Sequence, residues 1–93
     1  MRLIEKKMLN AIEQGRNFSL DNTHVKIDAN VAHVFLHGNH IASVMCDKDS
    51  RHTVVNKITL RQYPTPTTKS RLRALGVDVY TKKGITYLYG EAI

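Results

Sequence analysis

V-A-H-V-F-L-H-G-N-H-I-A-S-V-M-C, from Val31 to Cys46, holds two apolar runs separated by a short polar stretch with a glycine in it. Val34 and Leu36 fall on one face of the first run, and His33, Phe35 and His37 on the other, as the two-residue period of a strand requires. Ile41 to Cys46 then returns as a second strand. Gly38–Asn39 reads as a two-residue hairpin in which glycine supplies the positive φ that side chains resist. Two strands joined this tightly run antiparallel.

Upstream, Thr23, Val25 and Ile27 alternate with His24, Lys26 and Asp28, so Asn22 onward reads as another strand, turning at Ala29–Asn30. Arg16 to Asp21 reads as a connection. Before it, R-L-I-E-K-K-M-L-N-A-I-E-Q-G carries Ile4, Met8, Ala11 and Ile12 at helical spacing, with Gly15 as the stop. Downstream, Asp47–Asp49 is a turn and Thr53–Leu60 a fourth strand. Pro64 and Pro66 end it, because proline lacks the ladder N–H. Thr65 or Thr67 then caps a helix over Pro66–Leu75, Pro66 suiting its first position if Thr65 is the cap. Val77–Thr81 and Ile85–Tyr89 form a terminal hairpin around Lys82–Lys83–Gly84. The expected architecture is one α+β domain, 1–93, with a small, mostly antiparallel sheet and two helices in the order α-β-β-β-β-α-β-β. Its parts are an N-terminal helix (1–15), a four-strand region (22–60), a basic helix (66–75) and a terminal hairpin (77–89).

The chain has 93 residues, 42% hydrophobic and 24% charged, a folded and not a disordered composition. Its one cysteine, Cys46, excludes an intrachain disulfide and fits a reducing compartment. No apolar run approaches the ~20 residues that span a bilayer, and Glu5, Lys6 and Lys7 break up the start as a leader peptide would not. A cytoplasmic location is expected, without a membrane partner.

The net charge of +6 is unevenly placed. In residues 1–50 Arg2, Lys6, Lys7, Arg16, Lys26 and Lys48 are balanced by as many acids, whereas in 51–93 eight Lys/Arg face only Asp78 and Glu91. A basic half of this kind points to a polyanionic partner, either nucleic acid or an acidic protein surface. Its densest stretch is T-P-T-T-K-S-R-L-R-A-L-G, Thr65–Gly76. On a helical wheel Thr68, Leu72 and Leu75 face inward, Lys69, Ser70 and Arg73 face outward, and Arg71 lies at the border. Unpaired N–H groups and the positive end of the helix dipole favour an anion there. Thr67, Thr68, Lys69, Ser70, Arg71 and Arg73, with Lys82, Lys83 and Arg61, are therefore the candidate nucleic-acid or anion contacts. The competing reading is a capped helix whose cations are merely solvated. Tyr63, Tyr80, Tyr87 and Tyr89, interleaved with cations, suit either stacking on single strands or packing.

Leu36-His37-Gly38-Asn39-His40-Ile41-Ala42, then Tyr63-Pro64-Thr65-Pro66-Thr67-Thr68-Lys69-Ser70-Arg71-Leu72-Arg73-Ala74-Leu75, then Tyr80 and Ile85–Tyr89 carry a resemblance. The chain resembles, over about residues 20–90, short proteins of tailed bacteriophages that share an L-H-G-N-x-I-A strand and a T-T-K-x-R-L-x-A-L helix. Arg73 stands where that pattern commonly has asparagine, and tyrosine replaces tryptophan in the terminal hairpin. The resemblance implies a small accessory protein acting in an infected bacterial cytoplasm, on nucleic acid or on a host protein that it inhibits or redirects.

Catalysis finds no support: there are no paired carboxylates in one segment, no nucleophile elbow, and no glycine-rich loop leading into Lys-Ser/Thr. Five histidines invite a metal reading, with His37 and His40 opposed across the hairpin and His33 nearby. Zinc needs three or four converging ligands, and no known spacing supplies them. A non-enzyme without metal or cofactor is expected.

Overall fold

The computed structural model describes all residues, 1–93. Its larger sheet grows from the hairpin outward. β3 (Val31–Leu36) pairs antiparallel with β4 (Asn39–Cys46), and β2 (Thr23–Asp28) and β5 (Arg51–Val55) extend it on either side. β1 (Phe18–Leu20) closes the far edge, giving the order β1-β2-β3-β4-β5. The turn lies one residue earlier than its sequence suggests. Leu36 pairs with Asn39, so His37 and Gly38 are the turn residues, at φ 51° and 80°. Two successive positive φ values match the twist of the flanking strands.

Three helices lie on one face of this sheet. α1 (Leu3–Gln14) ends at Gly15, whose left-handed φ of 65° lets its N–H reach back to the last turn. Met8, Ala11 and Ile12 are its fully buried apolar residues. α2 (Lys57–Gln62) adds Leu60 and α3 (Pro66–Ala74) adds Leu72 to the same core as Val25, Val34, Leu36, Ile41 and Val44. A second sheet, β6 (Val79–Lys82), β7 (Ile85–Leu88) and β8 (Glu91–Ala92), closes this core with Val79 and Leu88. Leu72, with no exposed surface, joins the two parts; truncating such a residue to alanine costs about 2–5 kcal/mol.

The α+β class and the expected sequence of helix, strands, basic helix and terminal strands hold, with three short additions. Phe18–Leu20 is a strand and not a connection, and Glu91–Ala92 adds a last one. The strand expected over Thr53–Leu60 stops at Val55, because the Asn56 side chain accepts from the Thr59 N–H at 3.2 Å and starts α2.

The other face of the large sheet carries His24, Lys26, His33, Phe35, His40, Ser43 and Met45. None of the helices covers it, since their buried apolar residues all belong to the opposite core.

Candidate nucleic-acid interface

α3 is built to start where it does. Thr65 is the cap, its Oγ1 accepting from the Thr68 N–H at 3.2 Å, and Pro66 occupies the first turn. A further hydrogen bond of 2.9 Å joins the Thr65 and Thr68 hydroxyls, so both are used within the helix and Thr68 is buried. Thr67 is half-buried beside them.

Of the α3 residues expected to face outward, Arg73 is exposed, but Ser70 is half-buried and Lys69 buried, and the border residue Arg71 is buried too. Ser70 donates to Glu5 Oε2 at 2.6 Å, and Arg71 Nη1 donates to the same oxygen at 2.9 Å. Arg71 Nε reaches Thr23 Oγ1 at 3.0 Å, while the Arg2 N–H holds Glu5 Oε1 at 3.0 Å. Glu5 and Arg71 are each 3% exposed at the side chain. Burial alone would raise the Glu5 carboxyl, but hydrogen bonds from Ser70, Arg2 and Arg71, with the Arg71 charge, outweigh it and hold it below its ordinary value. Ser70 and Arg71 thus serve a buried clamp between the two longer helices. Lys69 is also buried, a second correction, because its side chain lies between α3 and the second sheet.

Lys69 nevertheless opens onto solvent space. A cleft of about 470 Å³ runs between α3 and the β6–β7 hairpin, lined by Pro64, Pro66, Lys69, Arg73, Tyr80, Thr81, Gly84 and Thr86. No acid lines it. Lys69 Nζ donates to Thr81 Oγ1, and Arg73 Nη1 donates to the Val79 carbonyl at 3.1 Å. Lys82 and Lys83, both exposed, lie between the lining residues Thr81 and Gly84 in the chain. Arg61 is exposed in the last turn of α2 and does not line the cleft. The tyrosines are dispersed: Tyr80 borders the cleft and stacks on Tyr87 at 5.2 Å and 11°, while Tyr63 and Tyr89 border other hollows. A larger cavity, about 620 Å³, carries both Glu13 and Arg51 and so presents no single sign of charge.

Of the nine candidate residues, the cleft brings together Lys69 and Arg73, with Lys82 and Lys83 at its hairpin end. Tyr80 joins them, as do Thr81 and Thr86, two threonines that no motif in the sequence marks. The partner of Arg71, Glu5, is likewise absent from the candidates. Its signal is its position, three and seven residues before Met8 and Ile12 on the apolar stripe.

The histidines form a different constellation. His37 lies in the turn and does not oppose His40, which pairs with Phe35 instead. Asn56 Nδ2 donates to His40 Nδ1 at 3.1 Å, since Asn56 Oδ1 is already engaged in capping α2. His40 Nε2–H then donates to Ser43 Oγ at 2.8 Å, and the Ser43 hydroxyl donates to His33 Nδ1 at 2.9 Å. Burial first, and the charge of His33 second, lower the His40 pKa below its ordinary 6.5. No three His, Cys, Asp or Glu side chains group as metal ligands.

One-sided helix packing on a five-strand meander, closed by a small second sheet, defines a small α+β protein in which no helix is long and apolar enough to cross a membrane. The chain belongs to the Kyanoviridae Gp96 protein family, whose model matches residues 1–92, and it is therefore a bacteriophage protein. No curated protein and no solved structure matches it significantly.

Proposed function

We propose that this phage protein is a non-enzymatic nucleic-acid-binding accessory protein that uses the cleft between α3 and the β6–β7 hairpin. The observation that supports this reading is the charge of that cleft: Lys69 and Arg73 line it, no carboxylate does, and the exposed Lys82 and Lys83 lie in the hairpin between two of its lining residues. Such a surface attracts phosphates and releases their counterions, so affinity falls as salt rises. Fluorescence anisotropy with labelled oligonucleotides across a salt series tests it. Replacing Lys82 and Lys83 with alanine is expected to weaken binding and flatten the salt slope by about 0.7 to 0.9 for each phosphate no longer neutralised. The alternative, an acidic host-protein surface as partner, predicts capture from a bacterial lysate that survives nuclease treatment. No measurable binding to any nucleic acid would refute the reading.

A further inference from the structure

Lys69 is only 6% exposed, and its ammonium has a single oxygen partner in the chain, Thr81 Oγ1. The one ion pair within the protein is Glu5–Arg71, so Lys69 is a buried cation without a counter-charge. Buried charges are ordinarily paired, because an isolated one forfeits its hydration. The cleft gives a counter-charge an open approach to Lys69, and Arg73, Thr81 and Thr86 supply further donors there.

Resting on the nucleic-acid reading, we infer that the ligand is a single strand, one phosphate of which enters the cleft against Lys69 and Arg73 while the adjoining base stacks on Tyr80. Two features carry the choice of strand. A duplex is a stiff rod, with a persistence length of about 150 base pairs, whose phosphates lie on its convex outside and meet protruding cations. Lys69 is recessed, and a phosphate reaches it only from a backbone able to turn inward, as an unpaired strand can. The second feature is Tyr80. It is 39% exposed, borders the cleft, and has one ring face held by Tyr87. Tyr80 and Tyr87 lie on the hairpin face opposite Thr81 and Thr86, and β6 is an edge strand. An unpaired strand that bends over that edge from a phosphate at Lys69 brings its base onto the exposed Tyr80 ring. The volume, about 470 Å³, lies in the range of small-ligand pockets and suits a single nucleotide unit.

The test compares labelled oligo(dT) and oligo(rU) strands with a blunt DNA duplex of equal length, using wild type, Tyr80→Ala and Lys69→Met. Lys69→Met keeps the aliphatic stem, and circular dichroism verifies that it is folded. Tyr80→Ala, at an exposed position, gives a second variant independent of the buried site. The strands are expected to bind more tightly than the duplex. Tyr80→Ala should weaken strand binding at least about fivefold and leave duplex binding unchanged. In a parallel arm, inorganic phosphate should raise the melting temperature of wild type by mass action and lose that effect in Lys69→Met. Duplex binding equal to or tighter than strand binding overturns the inference and leaves the nucleic-acid reading standing. So does strand binding that neither variant alters. Absence of binding to all three polymers removes the nucleic-acid reading itself, whatever phosphate does.

Discussion

Glu5→Gln removes one negative charge from a side chain that is only 3% exposed. Glu5 accepts three hydrogen bonds, from the Arg2 N–H, the Ser70 hydroxyl and Arg71 Nη1. Glutamine has one oxygen. Placed at the Oε2 position it still accepts from Ser70 and Arg71, but its NH₂ group then meets the Arg2 N–H, donor against donor. Arg71 keeps Thr23 as a partner and loses its counter-charge while 3% exposed. Breaking a buried pair from one side costs about 3–5 kcal/mol, and the retained hydrogen bonds place this variant near 3. That is a large part of the ~5–15 kcal/mol that a domain has in total. Urea denaturation should show a lower midpoint at unchanged slope, and the melting temperature should fall by at least about 12 °C. Replacing both Glu5 and Arg71 with methionine should recover most of the loss, since apolar pairs of similar volume often equal buried ion pairs. The sign of the pH dependence is also fixed. The folded Glu5 pKa lies below the ordinary 4.5, so its contribution is complete above that value and is lost as pH falls through the folded pKa. A Glu5→Gln loss within about 0.5 kcal/mol, the range of surface substitutions, would refute the clamp.

His40 has its folded pKa below the ordinary 6.5, so its neutral form contributes stability that is present above 6.5 and declines as pH falls through it. Melting temperatures of wild type should therefore drop over that acidic interval, and those of His40→Gln should drop less. Thr65→Ala removes the α3 cap and should cost about 1 kcal/mol in urea denaturation, with oligonucleotide affinity kept in the folded protein. Arg73→Ala, at an exposed position, should change stability by no more than about 1 kcal/mol, the worth of its one bond to the Val79 carbonyl, while lowering affinity for oligonucleotides.

The sequence discloses those elements whose side chains alternate long enough to show a period. Thr23–Asp28 and Val31–Leu36 each run six residues at period two, and α1 runs three turns at helical spacing. Phe18–Leu20 is too short to show any period. T-V-V-N-K-I-T-L is rich in β-branched residues and reads as strand throughout, yet one capping bond at Asn56 divides it into strand and helix. The cleft is legible as a concentration of charge and not as a place. A helical wheel sorts α3 by angle about its own axis. It cannot register that Glu5, 66 residues before Arg71, turns a border cation into a buried one, or that the hairpin folds over Lys69.

The clamp also orders events in time. Each strand of the large sheet pairs only with its neighbour in the chain, through tight turns, so the meander forms from local contacts with little loop-closure entropy. Glu5 meets Ser70 and Arg71 only by closing a loop of 65 and 66 residues. Those bonds belong on the native side of the folding barrier, and the expected signature of Glu5→Gln is faster unfolding with the folding rate nearly unchanged. During synthesis the first helix emerges long before its partner. Until Arg71 has left the ribosome, Glu5 stays hydrated and α1 has no clamp to hold it on the sheet, so the translation of α3 sets the earliest moment at which the two ends of the chain lock together.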